Sequence, residues 1–451
     1  MLLSGKLILM SEHLICQVNF SSWREETLKI SPNGKRVAYV DEQGGKQVVM
    51  VNGESEKAYD RIERDSLLFS SDSMRLAYVA HLDGKQLVVV DGKEEKQYDR
   101  IMKDSLAFSL VFSPDSKQIA YRAKANKKEF VVINGREEKQ YDYIALNNLV
   151  FSPDSKKIAY GARTESGYYS VVVNGNEEKQ YEDVHGISFS ADSSRMAYSA
   201  KLNDRWLVVV DGNEGKQYYS AGPVIFSADS RRIAYSAESG NRLYAVVDGT
   251  DGKPYDYIKD LIFSPDSKRV ACLARLDDDD YRERWFVLVD GKEGKKFDSI
   301  FDSSIRFSPD SKRVAYKAIS KDDHIIVVDG KAGKKYDLIY SESPIFSPDS
   351  KRVAYVAKGR DKRFVVVNGK EQKQYDSIVE CGPTFSPDSK RVAYRARIRD
   401  KCVTVVDGKE GKHYDDTDGL REASVIFDSD NKYHYLAISG EKIYMVEDQI
   451  K

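Results

Sequence analysis

One short motif recurs ten times along this chain, with an eroded eleventh copy near its end. The ninth copy, Phe346 to Ile378, reads FSPDSKRVAYVAKGRDKRFVVVNGKEQKQYDSI. Successive copies are 37 to 44 residues apart, and Asp428 replaces the first serine of the motif in the last one. A period near 40 built of short apolar runs is typical of propeller blades. The marker serines are Ser31, Ser70, Ser113, Ser152, Ser190, Ser227, Ser264, Ser308, Ser347 and Ser386.

Within one repeat, turn signals separate four short segments. In the ninth copy these are SPIFS (343–347), RVAYVA (352–357), FVVVN (364–368) and QYDSI (374–378). The second and third segments are continuously apolar, which predicts strands covered on both faces. Pro-Asp turns follow the first segment, and Asp-Gly or Asn-Gly pairs such as Asp329-Gly330 follow the third. The sequence therefore predicts an all-β fold, a β-propeller built from about eleven four-stranded blades.

The turn motif also carries a family resemblance. FSPDSKRVAY resembles the turn of the WD-repeat-like propeller repeats of the TolB type, usually written with Ser-Pro-Asp-Gly-Lys. The resemblance covers most of the chain, but only the first copy (Asn33-Gly34) has the glycine, and the others carry serine, as at Ser116 and Ser311. It implies a scaffold fold that many unrelated functions share, and it specifies no activity.

The number of repeats bears on domain organisation. Eleven blades exceed the roughly four to eight of a typical ring. Two adjacent propellers, 1–225 and 226–451, are therefore the first expectation, with one continuous propeller over 1–451 as the alternative. This division is arithmetic, because no composition shift marks a boundary. The last repeat lacks a fourth strand, and HLICQVNF (13–20) precedes the first repeat. We expect this N-terminal strand to complete the last blade, which removes an open sheet edge.

Charge and targeting signals narrow the classes of partner. The chain has 71 basic and 72 acidic residues, so no overall field favours nucleic acid or an anionic membrane. No apolar run reaches the roughly 18 residues that a membrane-spanning helix needs. The opening stretch MLLSGKLILMSEHLICQV looks like a secretory signal, but Ser11, Glu12 and His13 interrupt it. We expect a cytoplasmic protein, or an exported one if the true start lies upstream; oligomeric state stays open.

No catalytic or metal-binding pattern is visible. Cys16, Cys272, Cys381 and Cys402 fall at unrelated spacings, and Cys272 stands where other repeats have tyrosine. The sequence contains no nucleophile elbow, glycine-rich phosphate loop or metal-binding helix motif. We therefore expect no enzyme, no cofactor and no metal. Asp277 to Asp280 is interpreted as a solvated loop rather than a calcium site, because its spacing matches no ion-binding loop.

The repeats differ mainly in the loop between strands two and three and in the connection to the next repeat. Alternate turns of an up-and-down blade lie on opposite faces, so one face is predicted to be uniform and the other variable. We expect the variable face to bind a protein or peptide, with a small-molecule or glycan site as the alternative. The candidate residues there are of hot-spot types: Arg205, Trp206, Tyr281, Arg282, Arg284, Trp285, Arg360 and Arg363.

The two candidate tryptophans and a repeated aspartate each have a competing structural interpretation. Trp206 and Trp285 begin third strands, where packing is the commoner role. A residue repeated around a ring is normally structural, so the aspartate that follows the repeated tyrosine is interpreted as a loop anchor rather than a catalytic group. Examples are Asp99, Asp142, Asp337 and Asp376.

Overall fold

The structure is a computed structural model, and almost all of its regular structure is antiparallel β-strand. It describes residues 6–103, 109–145, 149–277, 283–340, 344–379, 381–415, 417–420 and 423–451. One compact unit combines Met1–Ala58 with Lys295–Lys451, and the other is Tyr59–Gly294. The boundary expected near residue 225 lies inside the second unit, and the division into two propellers stays a prediction.

The two central strands of each repeat are the best formed. The second strand of repeat 9, Val353–Gly359, has five consecutive buried residues, which agrees with a strand covered on both faces. We number the repeats 1 to 11 by their second strands. These are Val37–Gln43, Leu76–Leu82, Ile119–Ala125, Ile158–Arg163, Met196–Leu202, Ile233–Ser239, Val270–Asp277, Val314–Ser320, Val353–Gly359, Val392–Ile398 and Lys432–Ser439. The third strands are Lys46–Val51, Lys85–Val90, Lys128–Ile133, Tyr169–Val173, Arg205–Val210, Arg242–Val247, Glu283–Val289, Asp323–Val328, Lys362–Val367, Lys401–Val406 and Lys442–Ile450.

The first strand was wrongly predicted as one continuous segment. In repeat 10 it consists of Ser377–Ile378 and Thr384–Phe385, which both pair with Val392–Ile398. In the repeats with a divided first strand, the variable connection therefore interrupts that strand along the sheet edge, whereas the first strands of repeats 1, 5 and 7 are continuous. The first strands are Trp23–Ile30, Arg61–Ile62 with Leu68–Phe69, Arg100–Ile101 with Leu110–Phe112, Tyr143–Ile144 with Val150–Phe151, Asp183–Phe189, Ser220–Ala221 with Ile225–Phe226, Tyr257–Phe263, Ser299–Ile300 with Arg306–Phe307, Leu338–Ile339 with Ile345–Phe346, Ser377–Ile378 with Thr384–Phe385, and Ile426–Phe427.

The fourth strand begins earlier than predicted. In QYDSI, Tyr375 still bridges Arg363 of repeat 9, whereas Ser377–Ile378 already belongs to repeat 10. The chain thus changes sheet at Asp376. The fourth strands are Glu54–Tyr59, Lys93–Glu94, Arg136–Glu137, Asn176–Tyr181, Asn213–Tyr218, Thr250–Tyr255, Lys292–Glu293, Lys331–Tyr336, Lys370–Glu371 and Lys409–Asp415. Repeat 11 takes its fourth strand from the start of the chain, because Leu7–Gln17 pairs antiparallel with Lys442–Ile450.

The hydrophobic core lies between consecutive repeats. Ala120 of repeat 3 packs with Ile144 and Tyr160 of repeat 4, and Ala393 of repeat 10 packs with Tyr435 of repeat 11. Each sheet therefore buries its faces against its neighbours in the same unit. Four-stranded antiparallel sheets in chain order with this packing are propeller blades, so the predicted all-β propeller class is confirmed.

Candidate interaction surface

The two ends of each sheet carry different residues. At one end, the turn after the first strand touches the hairpin after the third: Arg313 Nε donates to Asp329 Oδ2 at 2.9 Å. The N–H of Val314 donates to the other oxygen of the same carboxylate at 3.0 Å. We call this end the turn face. The opposite end, with the loops between second and third strands and the starts of the first strands, is the loop face. They correspond to the predicted uniform and variable faces.

On the turn face, serine occupies the backbone conformation usually left to glycine. Ser350 has a φ of 65°, and its Oγ accepts a hydrogen bond from the N–H of Asp310 in the preceding repeat at 2.9 Å. Ser389 accepts the same bond from Asp349 at 2.8 Å. Glycine would remove the backbone strain but could not accept the bond. The departure from the family motif therefore links neighbouring repeats.

The first repeat keeps its glycine for a steric reason. Gly34 has a φ of 67°, and a Cβ there would lie 2.7 Å from Ile426 Cδ1 and 3.3 Å from His434 Nε2. Both neighbours belong to repeat 11, and His434 Nε2 also lies 2.9 Å from the carbonyl oxygen of Asn33. A serine at this position has no room.

Along the fourth strands, a lysine and a tyrosine hold a carboxylate of the next repeat. Lys139 Nζ and Tyr141 OH both donate to Glu177 Oε1, at 2.7 and 3.0 Å. Glu12 of the N-terminal strand takes the carboxylate's place for repeat 11, where Lys412 Nζ donates to it at 2.7 Å. The hydrogen bond from Lys412 is the main reason that the pKa of Glu12 is lowered. These repeated residues are structural.

At the loop face, the repeated aspartates anchor loops. The N–H groups of Asn126 and Arg399 donate to Asp99 and Asp376, at 3.0 and 2.7 Å. The backbone hydrogen bond from Arg399 and a hydrogen bond from the side chain of Lys362 lower the pKa of Asp376. The loop-anchor interpretation is confirmed for these positions. Asp337 accepts a bond of the same kind from the Arg360 N–H at 2.7 Å, and Asp142 accepts one from Lys128 Nζ at 2.7 Å.

Arg360 and Arg363 occupy different settings in repeat 9. Arg360 lies at the exposed tip of the loop, where its φ of 52° places it in the left-handed region. The guanidinium of Arg363 lies over the ring of Tyr340, 4.1 Å from the ring centroid. An aromatic ring against one side of a guanidinium leaves N–H groups on its other sides able to reach a carboxylate.

Repeat 5 presents a related arrangement. The guanidinium of Arg205 lies 5.9 Å from the ring centroid of Tyr219, which is 62 % exposed. Trp206 is half-buried against His185, with ring centroids 4.6 Å apart. Burial lowers the pKa of His185, so the imidazole is neutral near pH 7. Trp206 therefore packs, as its strand position suggested, while Arg205 and Tyr219 face solvent.

In repeat 7 the tryptophan is held by several groups. Trp285 packs edge-on against Tyr257 with centroids 5.2 Å apart, and its Nε1 donates to Glu283 at 3.0 Å. The guanidinium of Arg275 lies 5.3 Å from the indole centroid. Arg284 is half-buried in the same strand. Trp285 thus has a packing role with one polar edge engaged.

The structure distributes the predicted site residues over three repeats. Arg205 and Trp206 contact residues of repeats 5 and 6, Trp285 contacts residues of its own repeat 7, and Arg363 contacts its own repeat 9. Tyr281 and Arg282 lie outside the described residues, as do three of the four aspartates of the run that begins at Asp277.

Sequence reasoning missed the aromatic partners at the starts of the first strands. Tyr340 and His185 occupy equivalent columns when the repeats are aligned, and each faces a predicted residue. It also missed Lys317, which is buried, donates to the carbonyl oxygen of Ile339 and lies 3.5 Å from the ring centroid of Phe301. Burial lowers the pKa of Lys317 to about 8. Aligning the repeats column by column would have revealed both features.

Other site types were also sought in the described part of the chain. No group of three or more His, Cys, Asp or Glu side chains there is arranged to hold a metal ion. No helix in the same residues is long and apolar enough to cross a bilayer. All four cysteines are free thiols.

Comparisons with known proteins add likenesses of fold. No protein-family model matches the chain, and no curated protein matches it either. Among solved structures, a eukaryotic initiation factor is 14% identical with a TM-score of 0.43, over 73% of this chain and 97% of that one. The β-propeller domain of the Trilobed protease from Pyrococcus furiosus is 15% identical with a TM-score of 0.30, over 57% and 94%. TolB from Acinetobacter baumannii is 15% identical with a TM-score of 0.26, over 68% and 77%.

Proposed function

We propose that this protein is a non-catalytic interaction scaffold whose loop face binds acidic segments of a protein or peptide. The observation that carries the proposal occurs once in each compact unit: the guanidinium of Arg205 lies near the exposed ring of Tyr219 in one unit, and the guanidinium of Arg363 lies over the ring of Tyr340 in the other. Within the described part of the chain, neither guanidinium has a carboxylate partner. Each therefore offers a pre-oriented fork of N–H donors to a carboxylate of a partner.

The different side-chain roles at the two ends of the sheets support this proposal. On the turn face and the fourth strands, repeated side chains form bonds between repeats, as Ser350, Lys139 and Tyr141 do. The repeated turn aspartate accepts bonds within its own repeat, as Asp310 does from Ser308. The loop face combines exposed aromatic and arginine residues, which are enriched at protein interfaces. The structural roles of these repeated polar groups support the proposal of a non-catalytic role. The cytoplasmic location stays a prediction.

The test is capture of partners from a lysate of the source organism, followed by affinity measurements on the recovered complex. Arg205→Glu and Arg363→Glu are the loop-face variants. Lys351→Glu and Lys390→Glu on the turn face make the same change of charge. We expect the loop-face pair to weaken binding by at least roughly tenfold and the turn-face pair to leave it unchanged.

A second comparison separates charge from geometry. Arg363→Lys keeps the positive charge but loses the planar fork, so it should recover only part of the affinity that Arg363→Glu loses. Loss of binding with the turn-face pair alone, or equal loss with both pairs, would contradict the proposal. The alternative function, small-molecule binding, rests on a different feature, a cleft between repeats 6 and 7.

A further inference from the structure

A cleft of about 700 Å³ opens between repeats 6 and 7, which both belong to the unit Tyr59–Gly294. Its floor is apolar and includes Ala245, Val270, Cys272 and Leu288, of which Cys272 and Leu288 are almost fully buried. The volume lies within the range of small-molecule sites in proteins, which is roughly 300 to 1,000 Å³. The cleft is therefore large enough to hold a ligand and not merely a water.

The cleft exists because three small side chains coincide here. Cys272 and Ala245 are each smaller than their counterparts in every other repeat, whereas glycine at the position of Gly252 also occurs in repeats 5, 7, 8 and 10. Cys272 replaces the tyrosine of the second strand, Gly252 replaces residues such as Glu95, and Ala245 replaces residues such as Val208. Between repeats 2 and 3 the same space is filled, because Tyr121 OH donates to Glu95 Oε2 at 2.5 Å. Between repeats 5 and 6, Tyr235 fills it even though Gly215 is present. The coincidence of all three truncations opens the cleft.

The absence of a tyrosine at position 272 also affects the packing of Tyr255, which faces that position. In most neighbouring repeats, two tyrosines meet edge to face across the interface, as Tyr218 and Tyr235 do with centroids 6.2 Å apart. Tyr255 has Cys272 opposite it and keeps only the contact with a phenylalanine of the next repeat, Phe286 at 5.7 Å, which Tyr98 and Tyr336 make in addition to their tyrosine contacts. The ring of Tyr255 lines the cleft as a result.

The rim of the cleft has more unpaired positive side chains than unpaired negative ones. The carboxylate of Asp251 is occupied by Lys216 and Tyr218, at 2.5 and 2.6 Å, and that of Asp290 by Arg269 Nε at 2.9 Å. The acidic residues of the rim are thus neutralised by bonds within the protein.

Two rim lysines are not neutralised in this way. Among the described residues, the ammonium groups of Lys253 and Lys268 form no ion pair and no hydrogen bond. Lysines at the position of Lys253 in other repeats do pair with a carboxylate of the next repeat, as Lys139 does with Glu177 at 2.7 Å. In repeat 7 that carboxylate, Glu293, accepts a bond from Tyr255 OH at 3.3 Å. Two cations therefore stand at the mouth of an apolar cleft.

We propose that this cleft binds an aliphatic carboxylate of medium chain length, with the chain on the apolar floor and the carboxylate between Lys253 and Lys268. Charge complementarity selects the anion, since the rim carboxylates are occupied and would repel a second anion less than the two lysines attract it. The buried thiol of Cys272 serves as apolar lining, because burial raises its pKa to about 12 and keeps it protonated.

The experiment is calorimetric titration of the full chain with sodium decanoate, with decyltrimethylammonium as the probe of opposite charge. We expect decanoate to bind and the cationic probe to bind at least roughly tenfold more weakly. Cys272→Tyr restores the residue of the other repeats and fills the cleft, so it should abolish decanoate binding. Ala245→Val is a milder filling variant, and it should weaken binding while the thermal unfolding of the protein stays cooperative.

The rim is tested with Lys253→Glu combined with Lys268→Glu. This double variant should weaken decanoate binding by roughly tenfold or more and should favour the cationic probe. Lys139→Glu combined with Lys156→Glu makes the same charge change at equivalent positions where Tyr160 is present, and it should leave decanoate binding unchanged. Absence of decanoate binding to the wild type, or equal binding to wild type and Cys272→Tyr, would overturn the proposal. Neither result would affect the roles proposed for Arg205 and Arg363.

Discussion

The serine of the turn face permits a test of strain against hydrogen bonding. We consider Ser155, Ser193 and Ser230, which have φ values of 63°, 62° and 65°. Their Oγ atoms accept bonds from the N–H groups of Asp115, Asp154 and Asp192 in the preceding repeats, at 2.9, 2.9 and 3.0 Å. The perturbation is a pair of triple variants, one with alanine and one with glycine at all three positions.

The two replacements remove the same bond but differ in strain. An intramolecular hydrogen bond contributes about 1 kcal/mol, and a non-glycine residue in the left-handed region costs about 1 kcal/mol. Alanine loses the bond and keeps the strain, so three replacements should lower the free energy of unfolding by about 3 kcal/mol. Glycine loses the bond but releases the strain, so its triple variant should stay within about 1 kcal/mol of the wild type.

Urea unfolding followed by circular dichroism measures the stabilities, and hydrogen exchange at the three aspartate amides shows whether the bonds are lost. Exchange should accelerate in both variants, although only the alanine variant is destabilised. Equal stability of the two variants would show that the strain is negligible. A glycine variant less stable than the alanine variant would refute the reasoning, because it would place the serine in an unstrained conformation.

Three further predictions follow from single positions. Glu12→Gln should lower the free energy of unfolding by about 1 kcal/mol at pH 7 and accelerate hydrogen exchange in the strand Leu7–Gln17. The pKa of Glu12 is lowered in the fold, so this loss of stability should vanish as the pH falls below the ordinary 4.5. The control Glu371→Gln loses the equivalent bond to Lys334 and should not affect that strand. Gly34→Ser should destabilise by about 1 to 3 kcal/mol in urea unfolding, because its Cβ would meet Ile426. Lys317→Met should raise the free energy of unfolding by about 1 to 3 kcal/mol at pH 7, since the pKa of Lys317 falls from 10.5 to about 8 on folding. The difference between variant and wild type should shrink between pH 8 and 10.5, where the wild type gains stability. A difference that stays constant over this range would contradict the assignment.

The fold was predictable because its turns are specified locally. The Asp-Gly and Asn-Gly hairpins have the positive φ values that such pairs favour, as at Asp329 and Gly330 with 52° and 75°. The unfinished last repeat also indicated where an N-terminal strand would pair, and Leu7–Gln17 does pair there. These features depend on a few adjacent residues, so the sequence pattern carries them.

The boundaries of the outer strands were not predictable in the same way. At Asp376 the chain leaves one sheet and enters the next without a glycine or proline. The pieces of the first strand are two residues long, as at Ser377–Ile378, which is too short for an alternating pattern to appear. Strand membership there is decided by which neighbouring sheet offers hydrogen-bonding groups, and that is a tertiary property.

The candidate surface was predictable by residue type but not by arrangement. Arg205 and Arg363 have the composition of interface residues, yet their orientation depends on Tyr219 and Tyr340, which lie 14 and 23 positions away in the sequence. A stacked guanidinium requires both partners at one end of a sheet. The pairing of the third and fourth strands brings Arg205 to Tyr219, whereas the pairing of the first and third strands with the second brings Arg363 to Tyr340.

Departures from the repeat are more informative about function here than the repeat itself. A position that is the same in every repeat is explained by the bonds that every interface needs, such as the one from Lys139 to Glu177. Cys272 and Ala245 satisfy no such need, because together with Gly252 they remove packing that the tyrosine supplies in other repeats. An unfilled cleft costs stability by the loss of contacts between its walls. A ligand that fills it would restore those contacts, so Cys272→Tyr should raise the melting temperature in the absence of decanoate and remove the rise that decanoate produces in the wild type.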